Sequence, residues 1–275
     1  MNEIIKNGLN FLNTTNTQLK TPEFGSFSVH EGKRCVQFCS TDTFGQANIE
    51  NVQNFKFILI FSLLDYYIDL KLLPNRYSSF RKKYLNLNTS SEDKLILQQV
   101  YRVAKIIRNC LVHNPSALTF SDDGLSVNYS HMGTNFSLEL SNSGLNLFYK
   151  IIYLFLSETY GKNEYFLALI RSMYKDLLIG ISKLEDDFEG NIPPLNTESL
   201  CIAYTSRDIF SNPDIEINTD NLTIKNAPNN QTNFDIIFDY KSKKFRVPAE
   251  ALSSEHSIPV TELEAKWISQ NEEEN

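Results

Sequence analysis

Apolar positions follow two different rhythms along the chain. From Val52 to about Leu72 apolar residues dominate, with Asp65 and Asp69 one helical turn apart, which predicts a largely buried helix ended by Pro74-Asn75. Between Ser90 and Asn114 the residues Ile96, Val100, Val103, Ile107 and Cys110 recur every three or four positions and make one buried stripe. Ser90 with Asp93 resembles a capping box at the start of this helix, and Asn114-Pro115 marks its stop. Lys94, Gln98, Arg102, Lys105 and Asn109 form a separate polar face. Leu145 to Tyr160 and Asn163 to about Phe188 return to helical spacing on either side of Gly161, which predicts an antiparallel helical pair.

A period of two governs the remainder. Phe27, Val29, Val36 and Phe38 around Glu31-Gly32 predict a small hairpin or irregular cap. Ala117 to Phe120, Leu125 to Tyr129, and Phe136, Leu138 and Leu140 predict a meander turning at Asp122-Asp123-Gly124. Beyond Gly190 the short alternating runs at Ile215, Leu222, Ile236 to Tyr240 and Phe245 predict strands, followed by a short helix near Val260 to Ser269. The expected fold is therefore mainly α: a helical domain over 48–189 with a β-meander insertion near 117–140. An N-terminal extension or cap over 1–47 precedes it, and a small β-rich region over 190–275 with an acidic tail follows.

Composition narrows the possible classes. With 275 residues, 41% of them hydrophobic, the chain can bury a substantial core, which excludes a wholly disordered protein. Its 26 basic and 33 acidic residues give a net charge of -7 and exclude a uniformly basic nucleic-acid coat. The longest nearly unbroken apolar run, Phe57 to Leu64, is far short of the ~20 residues that span a bilayer, and no signal peptide is visible at the N-terminus. Four scattered cysteines agree with a reducing compartment, so the expected location is the cytoplasm, with no membrane partner.

Charge is unevenly distributed. Between Arg76 and Arg108 eight basic residues face only Glu92 and Asp93, a local +6 that leaves -13 for the remainder. Such a cluster suits a phosphate-binding surface, with Lys82, Lys83, Arg102 and Lys105 as candidate RNA-binding side chains; a merely solvated helix face is the alternative. At the end of the basic helix stands Arg108-Asn109-Cys110-Leu111-Val112-His113. Asn109 and His113 are ~40° apart around an ideal helix, whereas Arg108 and His113 are ~140° apart and converge poorly within one chain. Histidine is the side chain best suited to exchanging a proton near neutral pH.

This Arg-Asn-x3-His motif resembles that of the HEPN superfamily of helical ribonucleases and toxins, and the resemblance covers roughly Asn48 to Phe188. It implies a homodimer in which two motifs meet, and metal-independent attack of a ribose 2'-hydroxyl on the neighbouring phosphate, without a cofactor. His113 would act as general base or acid, Arg108 would stabilise charge on phosphorus, and Asn109 would orient substrate or His113. A second protomer or a distorted last turn could bring Arg108 and His113 to one phosphate. The resemblance also implies a bacterial toxin or phage-defence role, with an antitoxin or phage-derived trigger as a further partner. The alternative within the same fold is a non-catalytic dimeric module that binds protein or RNA.

Weaker signals compete. Asp214, Asp239 and Lys241 echo the metal-dependent PD-(D/E)xK nuclease pattern. His30, Cys35 and Cys39 offer three ligands, but structural zinc takes four, so no metal site is expected. His131 and His256 sit in loop-like or terminal contexts without a nucleophile pattern and are expected simply to face solvent.

Overall fold

The computed structural model of the chain describes residues 3–14, 24–30, 33–39, 53–71, 79–87, 89–161, 163–188, 190–195, 198–211, 213–218, 220–228 and 233–269. The elements run α1 (Glu3–Thr14), β1 (Phe24–His30), β2 (Lys33–Cys39), α2 (Gln53–Lys71), α3 (Phe80–Asn86), α4 (Glu92–His113), β3 (Leu118–Ser121), β4 (Gly124–His131) and β5 (Thr134–Ser141). Then come α5 (Asn142–Ser157), α6 (Glu164–Gly180), β6 (Ile181–Glu185), β7 (Arg207–Phe210), β8 (Ile215–Ile217), β9 (Asn221–Ile224), β10 (Phe234–Tyr240), β11 (Lys243–Pro248), β12 (Ser257–Pro259) and α7 (Val260–Lys266).

The expected mainly α class is overturned. Among the described residues seven helices accompany twelve strands, which form sheets of five, three and four strands, so the architecture is mixed α/β. The largest sheet has the order β11-β10-β7-β1-β2, with β1 and β10 both parallel to β7. Parallel partners are joined by long connections and come from distant parts of the sequence, so local alternation reveals the strands without revealing the sheet. No helix among the described residues is long and apolar enough to cross a membrane.

Two compact units result, each assembled from several stretches of the chain, and α6 passes from one to the other between Ser172 and Met173. The first contains α1 to α5, the end of α6, and the antiparallel sheet β3-β4-β5-β6. Its core is built by the apolar stripe of α4, from Ile96 to Cys110, together with Phe57, Leu64 and Ile68 of α2 and Phe148, Ile151 and Leu154 of α5. Phe57 and Phe148 stack with centroids 6.2 Å apart. Helices α5 and α6 approach at paired glycines: a Cβ on Gly180 would stand 2.8 Å from the Gly144 Cα. There α6 ends, short of Phe188, and Ile181–Glu185 pairs with β5 as an edge strand. Helix α4 begins at Glu92 with Ser91 as N-cap and no side-chain cap bond, so the expected Ser90–Asp93 capping box is absent. The one-residue displacement puts Asp93 in the second helical position, too early to reach back to the cap.

The second unit contains β1, β2, the start of α6, β7 to β12 and α7. At its centre Asp235, fully buried, accepts hydrogen bonds from Arg207, Arg246 and the Tyr165 hydroxyl. Glu250 binds the far side of Arg207, so each buried guanidinium has a carboxylate partner.

Candidate active site at the end of helix α4

Helix α4 stops because Pro115 cannot continue it; the Asn114 N–H donates to the Cys110 carbonyl at 2.8 Å, and a short 3-10 turn over Pro115–Ala117 leads into β3. The chain thereby folds back at once as the meander, and the hairpin β4–β5 comes to lie against the helix that precedes it. Between them is a pocket of about 180 Å³. Asn109, His113 and Asn114 line it from the helix end. Tyr129, Ser130, His131 and Phe136 line it from the hairpin.

Two histidines therefore share one opening. The rings of His113 and His131 lie nearly parallel, 13° between planes, with centroids 6.3 Å apart. Both side chains are exposed at the rim, and neither forms a hydrogen bond or ion pair with a described residue. Behind them Tyr129 is only 7% exposed and stacks on Phe136 at 4.9 Å, yet its hydroxyl is buried without a hydrogen-bond partner. Burial pushes the Tyr129 phenol well above its ordinary range and the Cys110 thiol up to about 11. Both remain neutral near pH 7, the phenol as a potential donor.

Arg108 takes a different direction. Its guanidinium lies 4.8 Å from the centroid of Phe80 and donates to Asn109 Oδ1 at 3.2 Å. Arg108 does not line the pocket that His113 lines; Asn109 belongs to both neighbourhoods, touching Arg108 and sharing the pocket with His113. The structure thus brings Asn109 and His113 together and places Arg108 to one side, in keeping with their angular positions on the helix.

The expected RNA-binding face requires correction. Arg102, Lys105 and Lys83 are 2%, 4% and 5% exposed, and each is held by carboxylates. Arg102 donates Nε and Nη2 to the two oxygens of buried Asp186 at 2.9 and 2.7 Å, a bidentate pair. Lys105 pairs with Asp187, which also accepts from Arg81 at 2.9 Å. Lys83 bridges Asp65 and Asp69 at 2.8 and 2.7 Å, and Tyr101 donates to Asp65 at 2.6 Å. Burial alone would lower the Lys83 pKa, but the two carboxylates outweigh it and raise the value; burial likewise opposes Asp187, whose contacts with Lys105 and Arg81 lower its pKa. Phe188 covers the cluster, its ring centroid 4.4 Å from Lys105 Nζ and 5.1 Å from the Arg81 guanidinium. The run Glu185-Asp186-Asp187 is the sequence signal for this partner of the basic helix. Lys82 is exposed.

The metal-nuclease pattern is dispersed by its contacts. Lys241 stands in the β10–β11 turn and pairs with Glu264 at 2.9 Å, and no group of three or more potential metal-binding side chains occurs among the described residues. His30, Cys35 and Cys39 lie in strands whose side chains are outside the described residues, as are Arg76 and Pro74-Asn75. His131 and Tyr129 line the same pocket although no motif marks them in the sequence; their two-residue spacing puts them on one face of a strand, directly downstream of the Arg-Asn-x3-His segment. The chain matches no family model, no curated protein and no solved structure.

Proposed function

We propose that this protein is a metal-independent endoribonuclease that cleaves RNA by 2'-hydroxyl attack, with the reaction centred on the pocket at the end of α4. The observation that carries this reading is the meeting of Asn109 and His113, with an unengaged imidazole at the rim, in a pocket of about 180 Å³. A proton-exchanging side chain beside a small, partly polar cavity suits acid–base chemistry on one phosphodiester. The resemblance to HEPN ribonucleases supplies the substrate class, together with a homodimeric active form, a toxin or phage-defence role and work in the cytoplasm. Within it Arg108 acts on phosphate from a partner protomer or after a local rearrangement of the last turn.

A second reading, a binding module without catalysis, draws support from the internal ion pairs of Arg102, Lys105 and Lys83, which remove three of the four expected RNA contacts. Incubation of total RNA with wild type and His113→Ala in EDTA, at matched oligomeric size, separates the two. Cleavage by wild type that falls by about 10²- to 10⁴-fold in the variant supports the enzyme. Equal cleavage, or none by either protein, overturns it.

A further inference from the structure

We propose that the β4–β5 hairpin supplies the second half of this site: His131 is the second proton-transfer group, and the Tyr129 hydroxyl donates a hydrogen bond to the bound phosphate. The inference rests on the ribonuclease reading of the pocket and adds to it a pair of residues that the Arg-Asn-x3-His motif does not contain.

The geometry suits a phosphodiester. In-line displacement at phosphorus needs a base on the attacking oxygen and an acid on the leaving oxygen, each within about 2.6–3.2 Å of its oxygen. Imidazole centroids 6.3 Å apart are too distant for a direct ring-to-ring bond and near enough for both rings to reach one phosphate held at the opening they share. His131 is held by a short turn: it pairs with Thr134, and only Met132 and Gly133 lie between, with φ of 49° and 80°. Two-residue hairpin turns of this kind fix the strands on either side. Tyr129, two residues earlier, lies on the same face of β4.

The unpaired Tyr129 hydroxyl is the independent sign of a ligand. A buried hydroxyl without a partner carries a desolvation cost that a bound acceptor removes. The phenol stays neutral because burial raises its pKa, and so remains a donor to an anionic oxygen. The other titratable groups that act on Tyr129 in this volume are Cys110, also neutral, and Asp186 and Asp187, which are engaged by Arg102 and Lys105. The two imidazoles are thus the pocket-lining side chains whose chemistry suits proton exchange.

The step balances without another reactant. One imidazole takes the 2'-hydroxyl proton as the 2'-oxygen bonds to phosphorus. The bond from phosphorus to the 5'-oxygen breaks, and that oxygen takes a proton from the other imidazole. A 2',3'-cyclic phosphate and a 5'-hydroxyl are released, and the two rings, their protonation states exchanged, reset through solvent.

The test uses the full chain, a labelled mixed-sequence oligoribonucleotide and EDTA, with cleavage rate measured from pH 5 to 9 and the product ends identified. Wild type is expected to give a bell-shaped profile and cyclic phosphate ends. His131→Asn should lower the rate by at least about 10²-fold and remove one limb of the bell. Tyr129→Phe should lower it about tenfold with both limbs kept, and thermal unfolding should show both variants folded. Cleavage by His131→Asn at the wild-type rate with both limbs, while His113→Ala is inactive, overturns the inference and leaves the ribonuclease reading intact. Absence of cleavage by wild type overturns both.

Discussion

The middle and the end of helix α4 present polar side chains in opposite conditions. In the middle, Arg102 and Lys105 are internal and satisfied by Asp186 and Asp187, under the ring of Phe188. At the end, His113 is exposed and unbonded, opposite an equally unbonded His131 and a buried hydroxyl without a partner. The middle resembles the second unit, where Asp235 saturates Arg207 and Arg246. A charge whose every contact is met stabilises or specifies the fold. Groups left unmet in a pocket are available to a ligand, and their removal should change chemistry more than stability.

The strongest way to break this comparison is at the saturated end of it. Asp186→Asn leaves Arg102 buried with a weakened partner, and loss of such a pair costs about 3–5 kcal/mol in unfolding free energy. Urea denaturation should register this, while cleavage per folded molecule stays unchanged. A variant with full stability and altered cleavage would mean that the pair belongs to the site.

Lys56 offers a sharper variant of the same contrast. It is 8% exposed, sits 4.8 Å from the Tyr149 ring centroid, and no described carboxylate pairs with it; burial lowers its pKa to about 8. Because the unfolded chain binds this proton more tightly, stability should rise with pH between about 8 and 10.5. Lys56→Met should therefore gain roughly 2 kcal/mol at pH 7, and the gain should shrink toward zero above about pH 10.5. A gain that is independent of pH would place its cause in packing instead.

At the unsatisfied end, Tyr129→Phe removes a hydroxyl that bonds to nothing in the free protein. Its stability should rise by up to about 1 kcal/mol, the opposite of what loss of a structural hydrogen bond produces. A fall of that size in the denaturation midpoint would assign the hydroxyl a structural role.

Much of this was legible in sequence and some could not be. The apolar stripe of α4, the helix at Gln53–Lys71 and the meander after Pro115 follow from local periodicity, since each buries one face against neighbours. The Asn109–His113 pairing follows from helical geometry. The five-stranded sheet was hidden because β1 and β2 join β7 and β10 across most of the chain. The fate of the basic cluster was hidden for the same reason: Asp65, Asp69, Asp186 and Asp187 lie outside the segment whose charge they neutralise. His131 could not be singled out, because what distinguishes it is the ring it faces, not its neighbours in sequence.

The smallest expected effect lies at the hairpin tip and separates its shape from its chemistry. Met132 holds φ of 49°, a left-handed conformation that asparagine tolerates better than methionine, and at 92% exposure it loses little packing on replacement. With Gly133 following, Met132→Asn creates the favoured pair for a two-residue turn and should add about 0.5 kcal/mol to stability. If the turn serves only to hold His131 against His113, cleavage should stay within about twofold of wild type, since acid–base catalysis depends on the imidazoles being kept in place. A large loss of cleavage in a stabilised variant would show that the exposed methionine itself meets the RNA, and the site would then extend beyond the pocket to the tip of the hairpin.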